Sequence, residues 1–310
     1  MNCPLKRPTG PALAQRLARR LTLTSLLFLS LLSTLSPTIV AKALEPRVLI
    51  DAAHHNFHTA EGRYAPLVGL LRESGFAVRS ANAALTPELL RTTDVLVIAN
   101  ALHASNVDRW ELPITPAFSK AETALLTAWV ENGGALLLIA DHFPFPGAVA
   151  DLAENFGFRL FNGFAIRSNV TAEDIFDLKV GSLRPHPQIT GADLKPPVTR
   201  IAAFTGSAFE VTAEAQPLMV LGKDYELWLT SRAWEFRADT PKRSASGLLQ
   251  GATRLHGKGR VAVFAEAAMF TSQLAPDGQT SIGFDAPAAR DNRAFVIHVF
   301  RWLSDSVNRR

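Results

Sequence analysis

Between residues 46 and 157, short continuous apolar runs alternate with stretches whose apolar residues recur three and four apart. The first run is "RVLID" (47–51). A helical stretch follows from about Arg63 to Ser74, with Leu67, Leu70 and Leu71 on one face and Gly75 as its stop. "FAVRS" reads as a second strand, and "TPELLR" as a helical turn that Thr86 caps and Pro87 opens. "DVLVIAN" is a strand of the buried type. In "SKAETALLTAWVENGG", Ser119 caps a helix, Glu122 completes a capping box, and Gly133-Gly134 end it. "ALLLIAD" is the fourth strand, and "GAVADLAENFG" one further helix closed by Gly157. Unalternated strand runs are covered on both faces, so the expected fold is α/β, built on a doubly wound, mostly parallel sheet.

The second half reads differently. From Phe158 to about Pro217 the pattern loosens, with "LRPHPQITGADLKPPVTR" as a proline-rich excursion. "PLMVLG", "YELWLTS", "ASGLLQGATRL" and "RVAVFAE" then read as strands, the last two joined by the turn "HGKG". This gives a β-rich portion over about residues 198–265. An amphipathic helix, "DNRAFVIHVFRWLSDS", closes the chain with Phe295, Val299 and Trp302 on one face. No linker of domain-boundary type interrupts the stretch, so residues 44–310 are expected to form a single domain.

Residues 1–43 carry the pattern of an export signal. Lys6, Arg7, Arg16, Arg19 and Arg20 precede an uncharged stretch rich in Leu, Ser and Thr, and "AKA" ending at Ala43 suits a signal peptidase. The competing reading is a retained anchor over residues 21–41, since roughly 20 apolar residues cross a bilayer; Pro37 and the many hydroxyls count against it. Arg19-Arg20 also suggests twin-arginine export, against the Sec route. Cleavage after Ala43 removes six of the 32 basic residues and none of the 28 acidic ones, turning the formal charge from +4 to −2. The basic precursor is then a targeting feature, and the mature chain has no clustered basic footprint for nucleic acid. Cys3, the one cysteine, leaves with the signal. No thiol remains for a nucleophile or a thiolate metal site, and the expected compartment is periplasmic or extracellular.

In a parallel sheet, ligands sit at the carboxyl ends of the strands. The residues just past those ends make one list: Asp51, His54, His55, Asn56 and His58 after the first strand, Asn100 and His103 after the third, Asp141 and His142 after the fourth, and Glu266 after the last. Five of the eight histidines fall here. Taken singly, each has a structural reading, as a loop hydrogen bond, a solvated ring or a helix cap. As a group they form a candidate site. His55, Asp141, His142 and Glu266 are the candidate catalytic residues; Asn56, Asn100, His103 and Phe143 are candidate ligand contacts. His54 and His58 are candidate ligands for a divalent metal such as zinc, which imidazole and carboxylate from separate strands can bind. His186, His256 and His298 read as structural. Ser207 in "FTGSAF" reads as a turn hydroxyl, since no nucleophile-elbow motif surrounds it.

The run "AFSKAETALLTAWVENGGALLLIADHFPFPGAVADLAENFGF", with "GRVAVFAEAAMFT" and "DNRAFVIHVFRWL", resembles an uncharacterised family of exported bacterial proteins with the class I glutamine amidotransferase-like, or flavodoxin-like, fold. The resemblance covers Val48 to about Leu303. It implies a cysteine nucleophile after a central strand and a His-x-Glu pair after a late one. Here Asp141-His142-Phe143 stands in the first place, and in the second Glu266 is present but Phe264 occupies the histidine position. Without a thiol, glutamine hydrolysis by that family's mechanism is excluded. Two expectations stand: a binding domain whose edge recognises a small molecule, a glycan or a partner protein, and a hydrolase, metal-assisted or not, that uses the His/Asp/Glu group.

Overall fold

The four apolar runs form strands where the pattern places them. In the computed structural model these are β1 (Arg47–Asp51), β2 (Ala77–Ala81), β3 (Val95–Ala99) and β4 (Ala135–Ile139). Residues 45–167 and 173–305 are described, so the expected export signal lies outside them. The helices between and after the strands are α1 (Ala65–Glu73), α2 (Pro87–Arg91), α3 (Lys120–Glu131), α4 (Phe145–Ala148) and α5 (Ala150–Asn155), and the chain closes with α6 (Asn292–Ser304). Thr86 accepts a hydrogen bond from the Leu89 amide, and Ser119 and Glu122 make the reciprocal capping box. The helix expected over "GAVADLAENFG" is instead two pieces that break at Val149. The Ala148 carbonyl is taken by the Ala117 amide at 2.7 Å, which withdraws it from the helical ladder.

The looser stretch after Gly157 holds more strand than its pattern predicts. It contains β5 (Phe158–Arg167), β6 (Asp174–Asp177), β7 (Arg200–Ala203) and β8 (Gly206–Val211). Then come β9 (Gln216–Val220), β10 (Tyr225–Trp228), β11 (Lys242–Ser244), β12 (Leu249–His256) and β13 (Gly259–Phe264), and two short strands, β14 (Ser272–Leu274) and β15 (Ser281–Gly283). Ser207 is no turn residue. It lies inside β8, fully buried, and its hydroxyl donates to the Phe161 carbonyl at 2.5 Å.

One 11-stranded sheet organises the molecule, in the order β11-β10-β5-β8-β12-β13-β4-β3-β1-β2 with β9 on β12. Strands β2, β1, β3, β4 and β13 are parallel; from β12 outward every pairing is antiparallel. The sheet is therefore mixed α/β and not mostly parallel. The antiparallel half begins at Phe158, well before residue 198, while β13 belongs to the parallel half. Burial explains the parallel half: β3 and β4 are buried along their whole length. Their side chains divide between two cores, one under α1 and α6 with Val95, Val97 and Leu137, the other under α2, α3 and α5 with Leu96, Ile98 and Leu138. Each fully buried aliphatic contributes roughly 1.5–3 kcal/mol, which makes this half the rigid base of the fold. Among the described residues no helix is long and apolar enough to cross a membrane.

Candidate functional site

The carboxyl ends of β1, β3, β4 and β13 lie side by side, and the turns that leave them carry most of the expected site residues. From the β1/β3 boundary the chain runs outward to β2 on one side and to β4 on the other, the arrangement that opens a crevice between loops. The structure sorts the sequence-derived group into two places.

The first centres on Asn100 and Asp141. Asn100 is fully buried; its Oδ1 accepts from the Asp141 amide at 2.9 Å, and its Nδ2 donates to His58 Nδ1 at 3.1 Å. Asp141 Oδ1 accepts from the His142 amide at 2.9 Å, and its Oδ2 has no hydrogen-bond partner among the described residues. His142 Nδ1 donates to the Phe143 carbonyl at 2.7 Å, and its ring stacks on Phe164 at 4.7 Å. Behind them Glu266 is sealed in the core. Both its oxygens accept backbone amides, from Ala268 and Met269 at 2.8 Å each. Burial raises the pKa of the Asp141 carboxyl, although His142 and Asn100 work against it. Burial raises Glu266 well above the carboxylate range, and the Asp141 charge adds to the effect. His58 goes the other way: burial, with Arg63 and His142, lowers it to about 3, so its ring is neutral at physiological pH.

Aromatic side chains frame this centre. Phe57 meets Trp110 at 5.4 Å and Phe145 at 5.8 Å, and Trp234 meets His142 edge-on at 4.6 Å. Phe57 and Trp234 are 40% and 55% exposed, so they present ring surface to solvent beside the buried polar atoms. Two loops carry the tryptophans, and they are tied together. The Leu112 amide donates to the Ser231 carbonyl and the Ala233 amide to the Trp110 carbonyl, both at 2.9 Å, and Arg232 pairs with Glu111. Buried Asn106 stiffens the first loop: its Nδ2 donates to the Arg109 and Pro113 carbonyls, and its Oδ1 accepts the Thr115 amide. His55, Asn100 and Trp234 are the non-glycine residues with positive φ among those described, at 46°, 50° and 64°. All three sit at this edge, where backbone strain commonly marks function.

The second place is a cleft of about 310 Å³ lined by His54, His55, His103 and Glu122. His54 lies between two carboxylates, Nδ1 to Asp51 Oδ2 at 2.8 Å and Nε2 to Glu122 Oε1 at 3.2 Å, with its ring on Phe118. Burial opposes its charge, but Asp51 and Glu122 outweigh burial and raise its pKa. His55 is exposed at the mouth. His103 is also exposed and uses Nδ1 to accept the Ser105 amide at 3.1 Å.

Several sequence expectations are corrected here. His54 and His58 do not converge on a metal: both His54 nitrogens are taken, His58 Nδ1 faces Asn100, and no group of three potential ligands is assembled among the described residues. His55 and His103 stand apart from the Asp141 centre. Phe143 is fully buried and walls no crevice, and Asn56 is spent on loop backbone, between the His54 amide and the Ala99 carbonyl. Glu266 has no oxygen free of the backbone. The sequence reading missed Phe57, Trp110, Phe164 and Trp234, which come from three loops and one strand, and Tyr64, whose buried hydroxyl donates to the Ala267 carbonyl at 3.2 Å. Trp110 and Trp234, two of only five tryptophans and both in polar loops, were the available signal.

No protein-family model matches the sequence, and no curated protein is similar to it. Among solved structures, the mmIFT52 N-terminal domain is similar with a TM-score of 0.59 and 17% identity, over 83% of this chain and 97% of that one. A putative thua-like protein from Bacteroides uniformis reaches 0.46 at 12% identity, over 86% and 94%; a cytoplasmic protein from Salmonella typhimurium LT2 reaches 0.46 at 15%, over 83% and 99%. The first likeness shows a shared fold and nothing finer. That first neighbour, rather than a glutamine amidotransferase, overturns the resemblance read from the sequence. The residues that carried it, a capping box, a double-glycine stop and buried β4 and β13, are what any strand-helix-strand unit of this depth requires.

Proposed function

We propose that the protein is an exported binding domain whose sheet edge recognises a small polar ligand of the glycan class, on a flavodoxin-like, doubly wound framework. One observation carries the reading. Asp141 Oδ2, His58 Nε2 and His142 Nε2 lack partners among the described residues yet are not sealed from solvent, and the two rings lie against Phe57 and Trp234, whose faces are partly exposed. Unpaired polar atoms beside aromatic plates suit a ligand with hydroxyls on one side and C–H groups on another. Hydrolysis ranks behind binding because Glu266, the second carboxyl a paired acid–base mechanism would use, has both oxygens held by amides.

Isothermal titration of the purified protein against a panel of neutral, acidic and amino sugars tests the proposal. Binding by at least one class, weakened about tenfold or more in Trp234→Ala and His142→Ala, is the expected result. Equal affinity in both variants removes the ligand from this edge, and turnover of the bound sugar reinstates the hydrolase.

A further inference from the structure

Asn100 spends all four of its hydrogen-bonding groups inside the protein. Its amide donates to the Ile139 carbonyl at 2.9 Å, and its carbonyl accepts from the Phe57 amide at 3.0 Å. Its side chain joins Asp141 and His58. The backbone amide of Asp141 can only donate, so it fixes which end of the Asn100 side chain is oxygen. The NH2 end therefore faces His58, and since NH2 also only donates, His58 Nδ1 must accept. A neutral imidazole has one proton, so it sits on His58 Nε2. Burial, which holds this ring at a pKa of about 3, keeps it neutral.

His142 is fixed in the opposite sense. A carbonyl oxygen only accepts, so the 2.7 Å contact with the Phe143 carbonyl places a proton on His142 Nδ1, and in the neutral ring Nε2 is then bare. Stacking on Phe164 at 9° between planes holds the ring in that orientation. On either side of Asp141 the edge thus offers one donor, His58 Nε2–H, and two acceptors, His142 Nε2 and Asp141 Oδ2.

We infer that Asn100, by fixing on His58 the tautomer opposed to that of His142, tunes this edge to read hydroxyl groups, and that its ligand is an uncharged saccharide or polyol bearing vicinal hydroxyls. This deepens the proposed binding function and rests on it. A hydroxyl is the group that both donates and accepts, and a vicinal pair satisfies one donor and two acceptors without leaving a buried atom unpaired. An anionic ligand meets the Asp141 carboxyl, to which no cation is paired among the described residues, and the Arg63 guanidinium lies over the Phe57 ring at 4.4 Å. An ammonium ligand only donates, so it leaves the His58 Nε2–H without an acceptor. Asn100 is a positioning residue: it touches the His58 ring and the Asp141 backbone amide, not the ligand.

Long-range ¹H–¹⁵N correlation spectra of the histidine rings at pH 7 read the tautomers directly in the full protein. The expected result is a proton on Nε2 of His58 and on Nδ1 of His142. In Asn100→Asp the carboxylate can still accept from the Asp141 amide, but it turns acceptor toward His58; the His58 proton moves to Nδ1 or the ring becomes charged. Affinity for methyl pyranosides then falls about tenfold or more, and deoxy pyranosides bind the unmutated protein correspondingly more weakly than their parents. The same tautomer on both rings, or a charged His58 at pH 7, overturns the inference while leaving binding at this edge intact. Opposed tautomers with affinity only for hexuronates or amino sugars overturn the ligand assignment. Opposed tautomers with no sugar bound at millimolar concentration overturn it too, together with the binding function.

Discussion

The buried, uncharged state of His58 makes a quantitative prediction about acid stability. In the unfolded chain the ring titrates near 6.5, whereas in the fold burial, Arg63 and His142 lower it to about 3. A lowered pKa in a basic group means that the unfolded state binds the proton first. Its contribution is complete above pH 6.5, is lost as pH falls, and is exhausted near pH 3. Each pH unit in that window costs about 1.4 kcal/mol, on the order of 5 kcal/mol in all, comparable with the whole stability of a marginal domain. His186, which burial and Arg260 hold near 4, adds a parallel slope, while His54, raised by its two carboxylates, contributes stability that is present at low pH and lost as pH rises. Urea unfolding at half-unit steps from pH 7.5 to 4 isolates His58 if His58→Gln is measured beside the unmutated protein, since a glutamine oxygen can still accept from Asn100. The variant's slope between pH 6 and 4.5 is expected to be shallower by about 1.4 kcal/mol per unit. Parallel curves across that interval would refute the neutral-ring account of this site.

The other structural claims make further predictions. Asp141→Asn removes a buried carboxyl whose raised pKa makes it a burden once ionised; the substitution is expected to raise the melting temperature at pH 7.5 but not at pH 4, with loss of ligand affinity, and a lower melting temperature at both pH values would contradict it. Glu122→Ala breaks the capping box of α3 and frees His54 Nε2, at an expected cost of about 1–2 kcal/mol and with a fall in the His54 pKa readable by NMR. Gly163→Ala would drive a Cβ into the Trp228 carbonyl, so it should cost about 1–3 kcal/mol, whereas Gly69→Ala inside α1 meets no atom within 4 Å and should stabilise by roughly 0.5–1 kcal/mol in the same denaturation assay.

What the sequence revealed and what it concealed have separate physical causes. Strands β1 to β4 are legible because each is a run of apolar residues covered on both faces, and α3 because Ser119 and Glu122 write its start into the chain. In β5 the burial alternates unevenly and the pairing with β8 shifts register between Phe161 and Ala165, so the strand carries no clean period. The polar half of the site was likewise legible, since Asn100 and Asp141 stand within two residues of a buried strand's end and His58 lies in the loop that leaves β1. Its aromatic half was not, because Trp110 and Trp234 meet only through the hydrogen bonds between two loops more than a hundred residues apart.

The mixed sheet connects these two halves. The parallel strands deliver Asn100 and Asp141 on short turns from rigid ends, which fixes polar atoms to within a hydrogen bond but leaves them at the bottom of an edge open to water. The antiparallel strands supply what covers them: β5 brings Phe164 beneath His142, and the chain leaving β10 brings Trp234 against it. Polar atoms that face water at an open edge forgo the roughly 0.5–1.5 kcal/mol that an internal hydrogen bond contributes. A fold that keeps three of them at one edge, and adds strained backbone at Asn100 and Trp234 to hold the surroundings, sacrifices stability there. The large parallel core can offset that loss. In this protein the antiparallel extension is therefore part of the site and not an ornament on the sheet, so shortening β10 or β11 should impair ligand binding before it unfolds the parallel half.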